Sequence, residues 1–177
     1  LQTPATWDLY RSVSWKKQGL AFPASMVAVE AAGFGPEEKR HVETLVTGAA
    51  LGLQYRDDVV DWMDDFDLGS SWPVEMLQNV MGARTIGDVE NRLHAEGTLV
   101  GLLEMSRQAF HDAGLAAEAL GAPALASWAF GQAEVTAGLA EHEMANPGYS
   151  VRWERTRRAQ REQQQALHLA QSMAKAG

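Results

Sequence analysis

The chain reads as an all-α protein, and three observations predict this. Apolar residues recur at helical spacing, no stretch of useful length alternates apolar and polar residues as a half-buried strand does, and prolines and glycines punctuate the helical runs. About six or seven helices joined by short links account for the sequence. It carries no internal repeat.

Taken in order, Pro23 and the segment Gly33-Phe34-Gly35-Pro36 separate the first helices. Pro36 suits a helix start, and Glu37 and Glu38 are favourable in a first turn because the exposed N–H groups there attract negative charge. Val42, Leu45, Val46, Ala49 and Leu53 then form one apolar face. An aspartate-rich run follows and ends at Gly69 to Pro73. Thr85 with Asp88 resembles a capping box, in which each side chain satisfies the other residue's backbone N–H. It opens a long helix with Leu93, Val100, Leu103 and Phe110 on its apolar face. Gly121-Ala122-Pro123 and Asn146-Pro147-Gly148 bound a helix near 124–145, and its apolar face is read as Leu125, Trp128, Val135 and Leu139. From Arg152 the chain is polar, with Arg152, Arg155, Arg157, Arg158 and Arg161 close together. This predicts a solvated terminal helix whose start docks on the core through Trp153, with a diphosphate-facing role for the arginines as the lesser alternative. The whole is one domain: core helices over 1–145 and an arginine-rich terminal helix over 146–177.

Composition narrows the function. The 177 residues suffice for one hydrophobic core, and 46% of them are hydrophobic. A net charge of −8 argues against nucleic acid as a general partner. The absence of cysteine removes disulfides, thiolate zinc sites and cysteine nucleophiles, and fits the cytoplasm. No apolar run is long enough to span a bilayer; the best, Leu45 to Leu53, is interrupted by Thr47 and Gly48. The chain opens Leu1-Gln2-Thr3-Pro4 with no signal core and no initiator methionine, as a processed product or part of a longer protein would.

The most chemically loaded segment is Asp57-Asp58-Val59-Val60-Asp61-Trp62-Met63-Asp64-Asp65-Phe66-Asp67. On a continuous helix Asp57, Asp61, Asp64 and Asp65 share one face, where like charges destabilise by roughly 0.2–0.5 kcal/mol per pair. Arg56 is the nearby cation, and apolar residues interleave with the acids. Partly buried carboxylates without partners take up protons or a cation. The order of acids is not that of an EF-hand loop, which needs alternating ligands, a central glycine and a terminal glutamate. Magnesium fits better, since it takes hard oxygen ligands, keeps several waters and shares itself with substrate phosphates.

Ala50-Leu51-Gly52-Leu53-Gln54-Tyr55-Arg56-Asp57-Asp58-Val59-Val60-Asp61 resembles the second aspartate-rich motif of the trans-prenyl diphosphate synthases. Gln54 stands at that family's glutamine, Asp57, Asp58 and Asp61 stand at its three aspartates, and Leu53 replaces its phenylalanine. Upstream, Lys17-Gln18-Gly19-Leu20-Ala21-Phe22 is similar to the family's diphosphate-contacting lysine segment, with Gln18 in place of threonine. The resemblance covers roughly residues 10–145, the C-terminal half of such an enzyme. It implies a class I isoprenoid (terpenoid) synthase helical bundle, or its C-terminal portion alone. It also implies Asp57, Asp58 and Asp61 as Mg²⁺ ligands and catalytic groups, Lys17 and Gln54 as diphosphate contacts, and an allylic prenyl diphosphate as substrate. The partner it implies is a second copy in a dimer, or a chain that supplies the first aspartate-rich motif, which this sequence lacks.

The sequence departs from that family after Asp61. Its Gly-Lys segments are replaced by Asp64-Asp65-Phe66-Asp67-Leu68-Gly69-Ser70-Ser71-Trp72-Pro73, without lysine. Loss of those lysines beside Trp62, Phe66 and Trp72 would suit a terpene cyclase, because aromatic faces stabilise carbocations; for any one of these rings core packing is the preferred reading. A non-catalytic subunit that pairs with a full synthase is the alternative from another class. Among the histidines, His41, His94, His111, His142 and His168, no spacing makes a metal site, and there is no glycine-rich phosphate loop.

Overall fold

A computed structural model describes residues 7–17, 21–68 and 85–176. Eight helices are present among them: α1 (Trp7–Lys17), α2 (Ala21–Ala31), α3 (Pro36–Val60), α4 (Trp62–Leu68), α5 (Ile86–Ala95), α6 (Thr98–Ala119), α7 (Pro123–Ala145) and α8 (Tyr149–Ala176). No strand occurs among the described residues, so the all-α expectation holds. No helix among them is long and apolar enough to cross a membrane.

Local signals placed several boundaries correctly. Pro36 occupies the first turn of α3, after Gly35. Thr85 and Asp88 form the reciprocal capping box of α5, with Asp88 N–H donating to Thr85 Oγ1 at 3.1 Å and Thr85 N–H to Asp88 Oδ2 at 3.2 Å. Gly97, at φ 65°, turns the chain between α5 and α6. Leu93 therefore lies on a different helix from Leu103 and Phe110, not on the single helix the spacing suggested.

The architecture rests on α6, which packs along α3 on one side and α7 on the other. The α3–α6 pair is antiparallel and unusually close. Ser106 Oγ donates to the Gly52 carbonyl at 2.6 Å. A Cβ at Gly48 would stand 2.5 Å from the Ala109 carbonyl oxygen, and one at Gly52 would stand 2.9 Å from the Phe110 ring. Glycine thus serves here for close backbone approach rather than for its dihedral freedom. The short α1 and α2 and the long α8 lean on α3, and α5 leans on α6.

The core collects where α3 ends, joining Tyr10, Tyr55, Val59, Trp62, Val89, Leu93, Leu99, Leu102, Leu103 and Leu139, with Phe66 and Trp153 packed against it. Trp62 and Phe66 are therefore packing residues, and Trp153 docks the start of α8 as expected; Trp72 and Gly69 to Pro73 lie outside the described residues. The apolar face read for α7 is corrected. Leu125, Trp128 and Val135 are exposed, and the buried face is Ala126, Ala129, Ala133, Thr136, Leu139 and Ala140. Small side chains let α7 approach α6, and hydrophobicity alone pointed to the wrong stripe.

Two glycine substitutions separate these roles. Gly48→Ala should destabilise the fold by about 1–3 kcal/mol, because the methyl meets backbone that cannot turn aside. Gly101→Ala, on α6 with open space around the new methyl, should stabilise it by roughly 0.5–1 kcal/mol through helix propensity. Urea unfolding measures both; equal effects would contradict the close α3–α6 contact.

Candidate functional site

The aspartate run is broken at Asp61. That residue has φ −119° and ψ 9° and caps α3, its N–H donating to the Asp57 carbonyl. The chain then restarts as α4, so the acids do not form the single continuous stripe expected of one helix. They fall into separate environments instead.

Asp58 points into the protein and is 2% exposed. Tyr10 Oη donates to its Oδ2 at 2.6 Å and Gln54 Nε2 to its Oδ1 at 2.8 Å. Burial raises the pKa of Asp58, while the Tyr10 hydrogen bond and the charge of Lys17 oppose the rise. Burial and the neighbouring Asp58 charge likewise push the Tyr10 phenol up. Both oxygens of Asp58 are thus engaged by α1 and by its own helix. Gln54 spends its amide donor on this clamp and also lines the cleft described below. Lys17, exposed in the last turn of α1, lies on the Asp58 side of the site.

Asp57 is exposed, and its pKa is raised by partial loss of hydration and by Asp65. Asp61 is the most perturbed of the run. Its carboxyl is pushed up to about 7, first by burial and then by Asp57, Asp65 and Asp58, with Arg158 opposing. Its Oδ1 is buried with no hydrogen-bond partner. Asp64 turns outward and pairs with Arg158 at 3.2 Å and Arg155 at 3.7 Å.

These arginines lie on a solvated terminal helix, as expected. Side chains 155–167 are exposed, yet Arg157, Arg158 and Arg161 face the end of α3. With Trp153 and Glu154 they close a cleft of about 370 Å³ against Leu53, Gln54, Arg56, Asp57 and Val60. Positions 153, 157 and 161, and positions 53, 56, 57 and 60, each recur at helical spacing. Each set was legible as one face; that the two faces meet was not, because nothing local links residues about a hundred positions apart. Tyr10 was missed for the same reason.

The three motif aspartates are not gathered into one ligand set. No group of three or more acidic, histidine or cysteine side chains among the described residues is arranged to hold a metal ion. Asp57 and Asp61 alone fit a hard cation: they lie one turn apart, repel each other, and leave a buried oxygen unsatisfied. Comparison with protein-family models, curated proteins and solved structures returns no match to this chain.

Two predictions test this geometry. Tyr10→Phe removes a buried hydrogen bond to a carboxylate and should cost about 1.5–3 kcal/mol in urea unfolding; a neutral result would place Asp58 elsewhere. The folded chain holds the Asp61 proton more tightly than the unfolded chain, where aspartate titrates near 3.8. The stability this group contributes is therefore present below about pH 4 and is lost as pH rises towards 7. In EDTA, Asp61→Asn should flatten that decline in melting temperature and be the more stable form at about pH 8. An unchanged slope would assign the titration to another group.

Proposed function

We propose that this chain is a metal-dependent enzyme of the class I isoprenoid synthase type, which ionises an allylic prenyl diphosphate. The observation that carries the reading is the buried, unpartnered Asp61 oxygen beside Asp57, at the end of a helix whose sequence resembles a prenyl synthase aspartate motif. The all-helical architecture and the cationic wall facing Asp57 support it.

Asp57 and Asp61 are the residues that would hold Mg²⁺. Bound there, the ion would neutralise a diphosphate and make it a better leaving group. Two carboxylates suffice, because magnesium keeps waters and takes substrate phosphate oxygens as its remaining ligands. Asp58 has a positioning part in this scheme. Clamped by Tyr10 and Gln54, it fixes α1 against α3 and so sets where Lys17 stands relative to the acids. Lys17 supplies positive charge to the departing diphosphate. The allylic cation then couples to a prenyl acceptor as in a trans-prenyltransferase; product analysis separates this from cyclisation, since a longer linear diphosphate marks coupling and a hydrocarbon or terpene alcohol marks a cyclase. The first aspartate-rich motif of the resembling family has no counterpart in this sequence, so the opposite wall of a complete site would come from residues outside it, on a longer chain or on a partner chain that carries the motif.

Asp57→Ala and Asp61→Ala should each abolish Mg²⁺-dependent release of diphosphate from an allylic prenyl diphosphate and leave the helical circular-dichroism signal intact. Full activity in both variants overturns the assignment. A wild-type chain that turns over nothing alone but forms a stable complex with a synthase supports the non-catalytic subunit instead.

A further inference from the structure

The cleft between α3 and α8 holds two cations for which the described residues provide no hydrogen-bond partner. Arg56 is half-buried, its guanidinium 5.2 Å from the centre of the Phe110 ring. Among the described residues it makes no ion pair within 4.0 Å and no side-chain hydrogen bond. Arg157 faces it across the cleft, its guanidinium 5.2 Å from the centre of the Trp153 ring. Its nearest carboxylate is Glu154 at 3.8 Å, beyond hydrogen-bond length. Glu154 is already taken by Arg161, whose Nη2 donates to Oε1 at 2.5 Å, and Arg158 is held by Asp64 at 3.2 Å.

Two guanidinium groups are therefore each fixed against an aromatic face, with their N–H donors uncommitted. Stacking on an aromatic ring orients the planar fork and lowers the entropy lost when it binds a ligand. Repulsion between Arg56 and Arg157 is a standing cost that a bound anion removes. Four arginines line the cleft against two carboxylates, an excess of two positive charges on a chain whose net charge is −8. That local excess matches a phosphoryl dianion, whose tetrahedral oxygens accept from guanidinium forks. A volume of about 370 Å³ has room for it with hydrating water, at ~30 Å³ per water molecule.

We propose that Arg56 and Arg157 form an anion site that takes a phosphoryl group, either a free phosphate or the terminal group of a diphosphate, without help from a metal ion. Arg158 and Arg161 complete the cationic wall, and Glu154 sets its position by pairing with them. The inference does not rest on the metal reading, since neither arginine is a metal ligand and the aromatic supports lie on α6 and α8.

Calorimetric titration of the full chain in EDTA, at fixed ionic strength, with inorganic phosphate and with inorganic diphosphate tests it. Saturable one-to-one binding of either anion is expected, and an affinity tenfold higher for diphosphate would name that group as the ligand. Arg56→Gln and Arg157→Gln should each weaken binding at least tenfold. Arg155→Gln, which removes an equal charge from a residue that pairs with Asp64 and does not line the cleft, should change it less than twofold. Arg157 is half-exposed, so its variant carries the test if Arg56→Gln does not fold. No saturable binding by the wild type, unchanged affinity in the Arg157 variant, or an equal loss in the Arg155 variant each overturns the proposal. Loss of binding here with intact Mg²⁺-dependent turnover would separate this site from the aspartate pair.

Discussion

The approach of α3 to α6 is the constraint on which the rest of the structure depends. Gly48 and Gly52 remove the side chains that would hold the two backbones apart, and Ser106 closes the gap with a hydrogen bond to the Gly52 carbonyl. Once α3 is seated, its last two turns have a defined inside and outside. Tyr55 and Val59 join the core, and Asp58 enters beside them. Arg56 and Asp57 are turned towards α8 by the same helical phase. A looser α3–α6 contact would rotate or displace α3 and scramble which acids are buried.

Electrostatics at this end follows from burial rather than from the count of acids. Six aspartates in one run look alike in sequence and behave differently in the fold. Asp58 is desolvated and compensated by two donors, and Asp64 is exposed and paired with arginine. Asp61 is desolvated without compensation, which drives its carboxyl up to about 7. On the facing wall, Glu154 gathers Arg161 and Arg158, while Arg56 and Arg157 lean on aromatic rings. A partly buried charge without a partner destabilises the fold unless a ligand supplies one, so such groups mark sites on physical grounds.

Much of the secondary structure was legible, because its signals are local. The proline at the start of α3, the capping box of α5 and the Gly-Ala-Pro and Asn-Pro-Gly breaks around α7 each act within a few residues. Two local inferences failed for reasons that are also physical. The buried face of α7 is built from alanines, because close packing against α6 selects size over hydrophobicity, so Leu125, Trp128 and Val135 drew attention to the wrong side. The break at Asp61, where φ is −119° and ψ 9°, carries neither glycine nor proline, so no local signal marks it.

For the site, sequence alone determined that carboxylates cluster after Gln54, that arginines cluster after Arg152, and that both lie on helices. It also determined the resemblance that names Asp57, Asp58 and Asp61, because a motif is a matter of residue identity and spacing. Only the tertiary structure decided which of those aspartates is buried, which is paired, and that the arginine tail folds back over the acidic end. The reason is range. Helical phase acts over one turn, whereas the bonds of Tyr10 with Asp58 and of Arg158 with Asp64 join residues 48 and 94 positions apart. Those contacts exist only after the packed helices have brought their ends together.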